Sequence, residues 1–528
     1  MTLHDTPLRN RSAVFRIGGI IIACAISAVV SAESEMTPMP LVAEVDSSSV
    51  PVRFDDGLSL IEFIGMVQSR NTSILTARND LEIAAAKVTQ ESSIFEPKQF
   101  SNVDALKSRE PLALDDLLIG RQPDPYPTNQ QQVEFGVSTL FEDGATVSLT
   151  SRATRLKQGL DTDYAIDGFA GLTINTPLAR GFGADFVKAG IRTAEIDQQI
   201  AELSLTDRTN ALAAQAGIAF LDGLRVQHTI SNLGKRVVVL QDLLASSERL
   251  IKEGRLPRMA RFEIENSIDQ IRILQAEREQ EFYRYQADLL TLVGEQVQRI
   301  GRFHFVESSL PAESLTSCEP ETCLATALQS RMDYQAQLMR EQKAGVEITR
   351  ADSVARPKVD FAFELGMTER GETLGDAFSL GAMRDNPTSR VMLQVEIPLR
   401  GNQYGTALKR EAQLQMENEK LRSAELRLQI ENEILSRRDT VESTGVQLQT
   451  WREIADRNRQ QLAIETEHFE RGRSDVTQVL RAQERALDTE ATAFDARIAH
   501  AKAWIMLRVS QGALKMINAE SEIFNVYD

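Results

Sequence analysis

A chain of 528 residues with 42% apolar and only 6% aromatic residues is thinly supplied for one large globular core; it suits long helices that pack along narrow seams. Its net charge of −17 makes it a poor nucleic-acid binder, because it repels the phosphate backbone. No segment beyond the N-terminal region is apolar over the ~20 residues that a spanning helix needs, so passage through a bilayer would fall to a β-barrel.

Residues 1–32 read as a signal peptide. Arg9, Arg11 and Arg16 precede an apolar run from Ile17 to Val30, and Val30-Ser31-Ala32 offers a cleavage site after Ala32. Two alternatives stand beside this: lipidation at Cys24, within Ile21-Ile22-Ala23-Cys24, and a retained anchor. Removing 1–32 takes away three Arg and one Asp, which leaves −19. Residues 33–57 are an extended, acid- and Pro-bearing lead-in.

The first repeat spans 58–294. It opens with helical periodicity from Leu58 to Ser92. Barrel strands follow over about 131–176, at Val133–Val137, Ala145–Leu149 and Ala170–Asn175, with Glu142-Asp143-Gly144 as a tight turn. Residues 101–132 have no counterpart later in the chain and read as a loop insertion. From about Ala184 a helix runs unbroken by proline to Lys252, turns near Gly254 and returns to Gly294. About seventy helical residues amount to roughly 100 Å.

Residues 295–323 join the halves and carry Cys318 and Cys323. With no second Cys or His pair nearby, a local disulfide or free thiols fit better than a metal site.

The second repeat, 324–512, follows the same order: a helix to about Ser353, barrel strands over about 359–397, and a hairpin turning near Gly472. Val359–Leu365 and Val391–Ile397 alternate apolar and polar residues, as a lipid-facing or half-buried strand does. Leu421, Leu428 and Leu435 recur every seven residues, and Leu487, Ala491, Phe494, Ile498, Ala501 and Ile505 step by four and three. This is coiled-coil spacing. Residues 513–528 form a tail.

Repetition links the halves. Gln68-Ser69-Arg70 recurs as Gln329-Ser330-Arg331, Pro97-Lys98 as Pro357-Lys358, and Pro177-Leu178 as Pro398-Leu399. Gly254-Arg255 recurs as Gly472-Arg473 and Gly294 as Gly512, both offset by 218 residues. Four or five strands cannot close a membrane barrel, which needs about eight at least, so several chains must share one. No catalytic constellation, metal cluster or cofactor motif stands out; Gly181-Phe182-Gly183 lacks the remainder of a phosphate-cradling pattern.

These features together resemble the TolC family of outer-membrane efflux and secretion channels. The specific matches are Asn175-Thr176-Pro177-Leu178-Ala179-Arg180-Gly181-Phe182-Gly183, similar to that family's strand-to-helix junction, Gly472 followed by Val479-Leu480-Arg481-Ala482-Gln483, and the helix ends at Gly294 and Gly512. The likeness covers roughly residues 58–512. It implies a fold of long coiled-coil hairpins plus barrel strands with an internal two-fold repeat, assembled as a homotrimer around a twelve-stranded barrel in the outer membrane of a Gram-negative bacterium. The helical tunnel would cross the periplasm to a periplasmic adaptor and an inner-membrane pump, with no cofactor and no enzymatic step. Efflux is favoured over type I protein secretion. A soluble periplasmic coiled-coil scaffold or adaptor is the alternative from another class.

In that family the tunnel tip lies where the long helices turn, here around Gly254, Arg255, Arg258, Gly472, Arg473, Asp475, Gln478 and Arg481. The family's tip aspartates fall at Ala260 and Gln478 in this chain, so an acidic gate there is not expected. The tip instead carries Lys252, Glu253, Arg255, Arg258, Arg261, Glu470, Arg471, Arg473 and Asp475; these charges read either as a solvated turn or as a set of which some form inter-helix ion pairs that hold the tip closed, Arg473 and Asp475 being the pair to replace. If the apolar strand faces meet lipid, Glu134, Asp360, Glu364 and Glu396 line the lumen, and a ring of such acids should favour cations.

Overall fold

The computed structural model describes residues 57–110, 126–158, 165–254, 257–294, 303–306, 319–371, 373, 386–471 and 473–512. The expected signal peptide, most of the lead-in, the C-terminal tail, Cys318, Arg255 and Gly472 lie outside these residues.

The two repeats are built alike. The first opens with α1 (Leu60–Arg70) and α2 (Thr72–Ser92), and the second with α5 (Pro320–Ser330) and α6 (Met332–Ala355). In α1 the capping box explains the start: the Ser59 hydroxyl accepts from the Glu62 N–H at 3.3 Å, while the Ser59 N–H donates to the Glu62 carboxylate at 3.1 Å. Long helices follow the strands: α3 (Ala189–Lys252, 64 residues) and α7 (Gln403–Glu470, 68 residues), each about 100 Å at 1.5 Å per residue. Their return limbs, α4 (Met259–Val293) and α8 (Val476–Ser510), have 35 residues each. A return limb therefore covers about half of a long helix.

The other half is covered by α2 and α6, which meet the return limbs end to end. Asn71 caps α2 by accepting from the Ser73 N–H at 2.8 Å, and its amide donates to the Leu292 carbonyl of α4 at 2.7 Å. In the second repeat the Arg331 guanidinium donates to the Ser510 carbonyl at the end of α8 at 3.3 Å. One helix's free carbonyls thus meet the start of the next, and a cation at a helix C-terminus is favoured by the dipole. The repeated Gln-Ser-Arg marks these joints.

Gly294 and Gly512 end the return limbs at φ 81° and 65°, conformations that favour glycine. A Cβ on Gly512 would stand 2.7 Å from the Ser330 carbonyl carbon and 2.8 Å from the Arg331 nitrogen, whereas one on Gly294 would meet only the Arg70 oxygen at 3.5 Å. Gly512→Ala should cost roughly 2–4 kcal/mol, from left-handed strain plus a backbone clash, and Gly294→Ala about 1–2 kcal/mol from strain alone. Thermal unfolding of the two variants checks this order; equal midpoints would contradict the tighter joint at Gly512.

Arg331 also binds two acids, Asp333 at 2.7 Å and Glu433 at 2.7 Å. Burial alone would lower the Arg331 guanidinium, but its hydrogen bonds to Asp333 and Glu433 outweigh this and hold it above its ordinary value. Burial would likewise raise the Asp333 carboxyl; the hydrogen bond and charge of Arg331 prevail and hold it below the usual carboxylate range. An acid depressed in the fold contributes stability that is present above its unfolded value of ~3.9 and is lost as pH falls through the folded value. Since both acids are about one-third exposed, Arg331→Met is expected to cost on the order of 1–2 kcal/mol at pH 7. Denaturation midpoints of wild type and variant should converge below about pH 4; a gap unchanged by pH would contradict the ion pair.

Six strands form one antiparallel sheet in the order β1-β2-β3-β4-β5-β6: β1 (Lys98–Glu110), β2 (Tyr126–Leu140), β3 (Thr146–Gln158), β4 (Ala165–Pro177), β5 (Lys358–Gly371) and β6 (Pro387–Glu396). This corrects the reading of 101–132 as a loop insertion. Residues 101–110 belong to β1 and 126–132 to β2. The alternation in β1 is hidden because its outward row, Gln99, Ser101, Val103, Ala105 and Lys107, is largely polar. Hydrogen bonding to β2, from Lys98 opposite Ser138 to Arg109 opposite Pro127, makes it a strand.

The main core sits where α1, α3, α4 and α8 meet. It contains Phe63, Phe220, Leu221, Leu289, Leu290, Phe494, Ile498 and Ile505. Phe303 and Phe305, from the segment joining the repeats, insert into it. Phe305 packs edge-on against Phe220 at 5.0 Å and against Phe282 at 5.9 Å.

In α7 the heptad stripe Ile434, Val441, Leu448 is buried. The stripe read from the sequence, Leu421, Leu428 and Leu435, is 64%, 58% and 42% exposed and is continued by Leu414 at 42%. The helix therefore carries two apolar seams, and one is open.

Candidate functional site

At the hairpin tips Gly254 takes φ 72° and its N–H donates to the Ile251 carbonyl at 3.0 Å, which ends α3. On the other hairpin the Arg473 N–H donates to the His468 carbonyl at 2.8 Å, and Asp475 occupies the N-cap of α8 without a side-chain capping bond. Gly254, Arg258, Arg473, Asp475, Gln478 and Arg481 are all exposed.

The two tips are held together by apolar packing. Leu240 and Leu243 of α3, Ala260, Ile264 and Ile268 of α4, Phe469 of α7, and Val476 and Val479 of α8 form one buried cluster. Ala260, at the position where the resemblance would place an acid, is 6% exposed and inside this cluster. Gln478, its counterpart, faces solvent. Among the described residues near the tip, Arg261 of α4 pairs with Glu248 of α3 at 3.7 Å and also holds Glu265 at 2.8 Å. Among the described residues of one protomer, no ion pair joins Arg473 or Asp475 to another side chain. The sequence missed this apolar cluster because its members come from four helices.

The register places Glu134, Asp360, Glu364 and Glu396 on one face of the sheet. Glu134 stands opposite Arg152, Glu364 opposite Arg390 and Glu396 opposite Lys358. Asp360 lies 3.4 Å from the Lys358 ammonium. On the same face Asp167 binds Arg370 at 2.6 Å, and Arg152 lies over the Phe169 ring at 5.0 Å. The face is therefore not purely acidic: Arg152 and Arg390 stand in register with Glu134 and Glu364, and Lys358 serves both Asp360 and Glu396, three cations for four acids. Alternation within single strands showed the acids and concealed these cross-strand partners.

The opposite face is an apolar band. Val137, Leu149, Leu172 and Leu365 stand side by side across four strands, and Val147, Ile174, Phe363 and Val391 form the row beside them. Leu149 and Val391 are 64% and 66% exposed. Among the described residues no helix is long and apolar enough to cross a membrane.

Ion pairs between the repeats were not legible in the sequence. Lys343 of α6 binds Asp197 of α3 at 2.6 Å, Arg236 of α3 reaches Glu484 of α8 at 3.2 Å, and Lys502 of α8 pairs with Asp222 of α3. Their members are separated by well over a hundred residues, which leaves no local pattern. Cys323 is disulfide-bonded; the proposed partner Cys318 lies outside the described residues.

A continuous sheet with one apolar and one polar face is joined to helical hairpins about 100 Å long. The chain has the fold of solved outer-membrane channels. It superposes on CusC, whose structures concern folding and transmembrane channel formation, with a TM-score of 0.60 and 14% identity over 86% of this chain and 91% of that one. The outer membrane protein VceC from Vibrio cholerae matches with a TM-score of 0.59 and 14% identity over 86% of this chain and 96% of its own. The outer membrane channel CmeC from Campylobacter jejuni gives 0.57 and 12% over 90% of each. No protein-family model and no curated protein matches the sequence.

Proposed function

We propose that this chain is one protomer of a trimeric, passive export duct of the TolC family in the outer membrane of a Gram-negative bacterium. The observation that carries the reading is the sheet: an exposed apolar band backs a polar face, and both edges are open. Open edges and an exposed apolar face are stable in lipid only when a closed barrel satisfies the backbone. The open leucine seam of α7 supports neighbouring copies in the periplasm, because a heptad stripe is covered by another helix. The fold shared with solved outer-membrane channels supports the same reading.

In this duct the polar sheet face lines the exit and the hairpin tips meet a periplasmic adaptor and an inner-membrane pump. The pump supplies energy and chooses the substrate; the channel supplies a path and a seal. Efflux is the favoured use. A photoreactive residue at Arg473, on the exposed tip, tests the assembly in cells. Capture of an adaptor together with a proton-driven pump supports efflux, and capture with an ATP-driven exporter supports protein secretion. Recovery of the protein in the soluble fraction after osmotic shock would overturn the membrane reading itself.

A further inference from the structure

The first repeat passes from Pro97-Lys98 to Pro177-Leu178 through four strands, whereas the second passes from Pro357-Lys358 to Pro398-Leu399 through two. Strand β1 corresponds to β5, and β4 to β6. The hairpin β2–β3 is therefore additional. We propose that β2 and β3 lie within the barrel wall, so that three copies of the six-stranded sheet close an eighteen-stranded barrel. This rests on the trimeric channel reading and changes what the exit can pass.

Three observations place the hairpin in the wall. Its pairing is unbroken on both sides, from Lys98 opposite Ser138 to Glu110 opposite Tyr126 on one edge, and from Thr146 opposite Asn175 to Leu156 opposite Ala165 on the other. A hairpin folded outside the barrel would leave β1 and β4 paired to each other instead. The hairpin also carries the lipid-type face: Val133, Phe135, Val137, Val147 and Leu149 share the side of Leu172, Ile174 and Leu365. Finally, its turn is fixed to the junction between strand and helix. The Gly183 N–H donates to the Asp143 carbonyl at 2.9 Å, and Lys188 binds Glu142 at 2.6 Å. Gly144, at φ 93°, passes so close to the junction that a Cβ would lie 2.7 Å from the Gly181 carbonyl oxygen.

The edges allow closure. With an even number of antiparallel strands, β1 and β6 run in opposite directions, so β6 of one copy can pair antiparallel with β1 of the next. Barrel diameter grows roughly linearly with strand number, so the exit is about one and a half times as wide as a twelve-stranded one, in the range where barrels hold an open aqueous channel. The consequence is an exit that admits bulkier cargo than twelve strands would.

Electron cryomicroscopy of the full-length protein in lipid nanodiscs tests this by counting strands. Eighteen strands about a three-fold axis are expected. Twelve strands about a three-fold axis, with β2–β3 outside the wall, would overturn the proposal while leaving the trimeric channel reading intact; twelve strands from two copies would overturn both. A protein with no membrane-embedded barrel would overturn both. A variant lacking residues 126–158 supplies a second readout: its barrel should narrow by about one-third, read as a smaller size limit for neutral polymers added from the external face. An unchanged limit in a folded variant would count against the hairpin's place in the wall, and the strand count decides the matter should the variant fail to fold.

Discussion

Replacing Phe305 with alanine is expected to cost about 3–5 kcal/mol, the range for deleting a fully buried aromatic side chain. Phe305 is 1% exposed and touches the rings of Phe220, Phe282 and Phe303. Its backbone is clamped as firmly as its ring. Gln227 donates to the Phe305 carbonyl at 2.9 Å and accepts from its N–H at 2.7 Å, while the neighbouring residues pair with Leu58. The segment joining the repeats is therefore pinned to α3 and to the start of the first repeat at one point. Gln227→Leu leaves two backbone groups without partners and should cost roughly 1–3 kcal/mol. Denaturant midpoints of the purified protein check both. A loss below about 1 kcal/mol for Phe305→Ala would mean that the site collapses around the cavity or that the ring is not buried.

Ala260→Asp is expected to open the tip. The substitution places a carboxylate inside the apolar cluster that joins the two hairpins, at a position 6% exposed and without a cation among the cluster members. An unpaired buried charge costs several kcal/mol, about 3 or more even after relaxation. The cheapest response is for the tips to part and hydrate the acid. Gln478→Asp introduces the same charge at an exposed position and should alter stability by less than about 0.5 kcal/mol. Cells carrying Ala260→Asp should admit large antibiotics that wild-type cells exclude, and cells carrying Gln478→Asp should not. Equal permeability in the two strains would show that apolar packing between the hairpins does not seal the tip.

Much of the architecture was legible in the sequence because it is written in short-range period. Helices without proline, the seven-residue leucine spacing and alternation in Val359–Leu365 are local signals, and the helices and β5 formed where those signals lie. The repeated Gln-Ser-Arg and the paired glycines Gly294 and Gly512 marked joints whose meaning is geometric: glycine fits the left-handed turn at both, and at Gly512 that turn is also pressed against the neighbouring backbone. Strand β1 was not legible, since its side chains are mostly polar and its identity comes from its partner. The tip was legible in place but not in chemistry. Exposed charges such as Arg473 attract notice in a sequence, whereas Ala260, Ile264, Val476 and Val479 look like any helix seam.

By itself, then, the sequence determined the class of fold: an acidic, twice-repeated chain of long helices and amphipathic strands, in which each local preference agrees with the helix or strand it forms. Only the tertiary structure decided that the sheet has six strands, that each of its four candidate lumen acids has a cation opposite or beside it, that the two hairpin tips of a protomer pack together by apolar contact, and that one leucine seam of α7 remains open. The physical reason is range. Periodicity is fixed by neighbours three, four or two residues apart, while strand number, cross-strand charge pairing and seam pairing depend on residues brought together from distant parts of the chain.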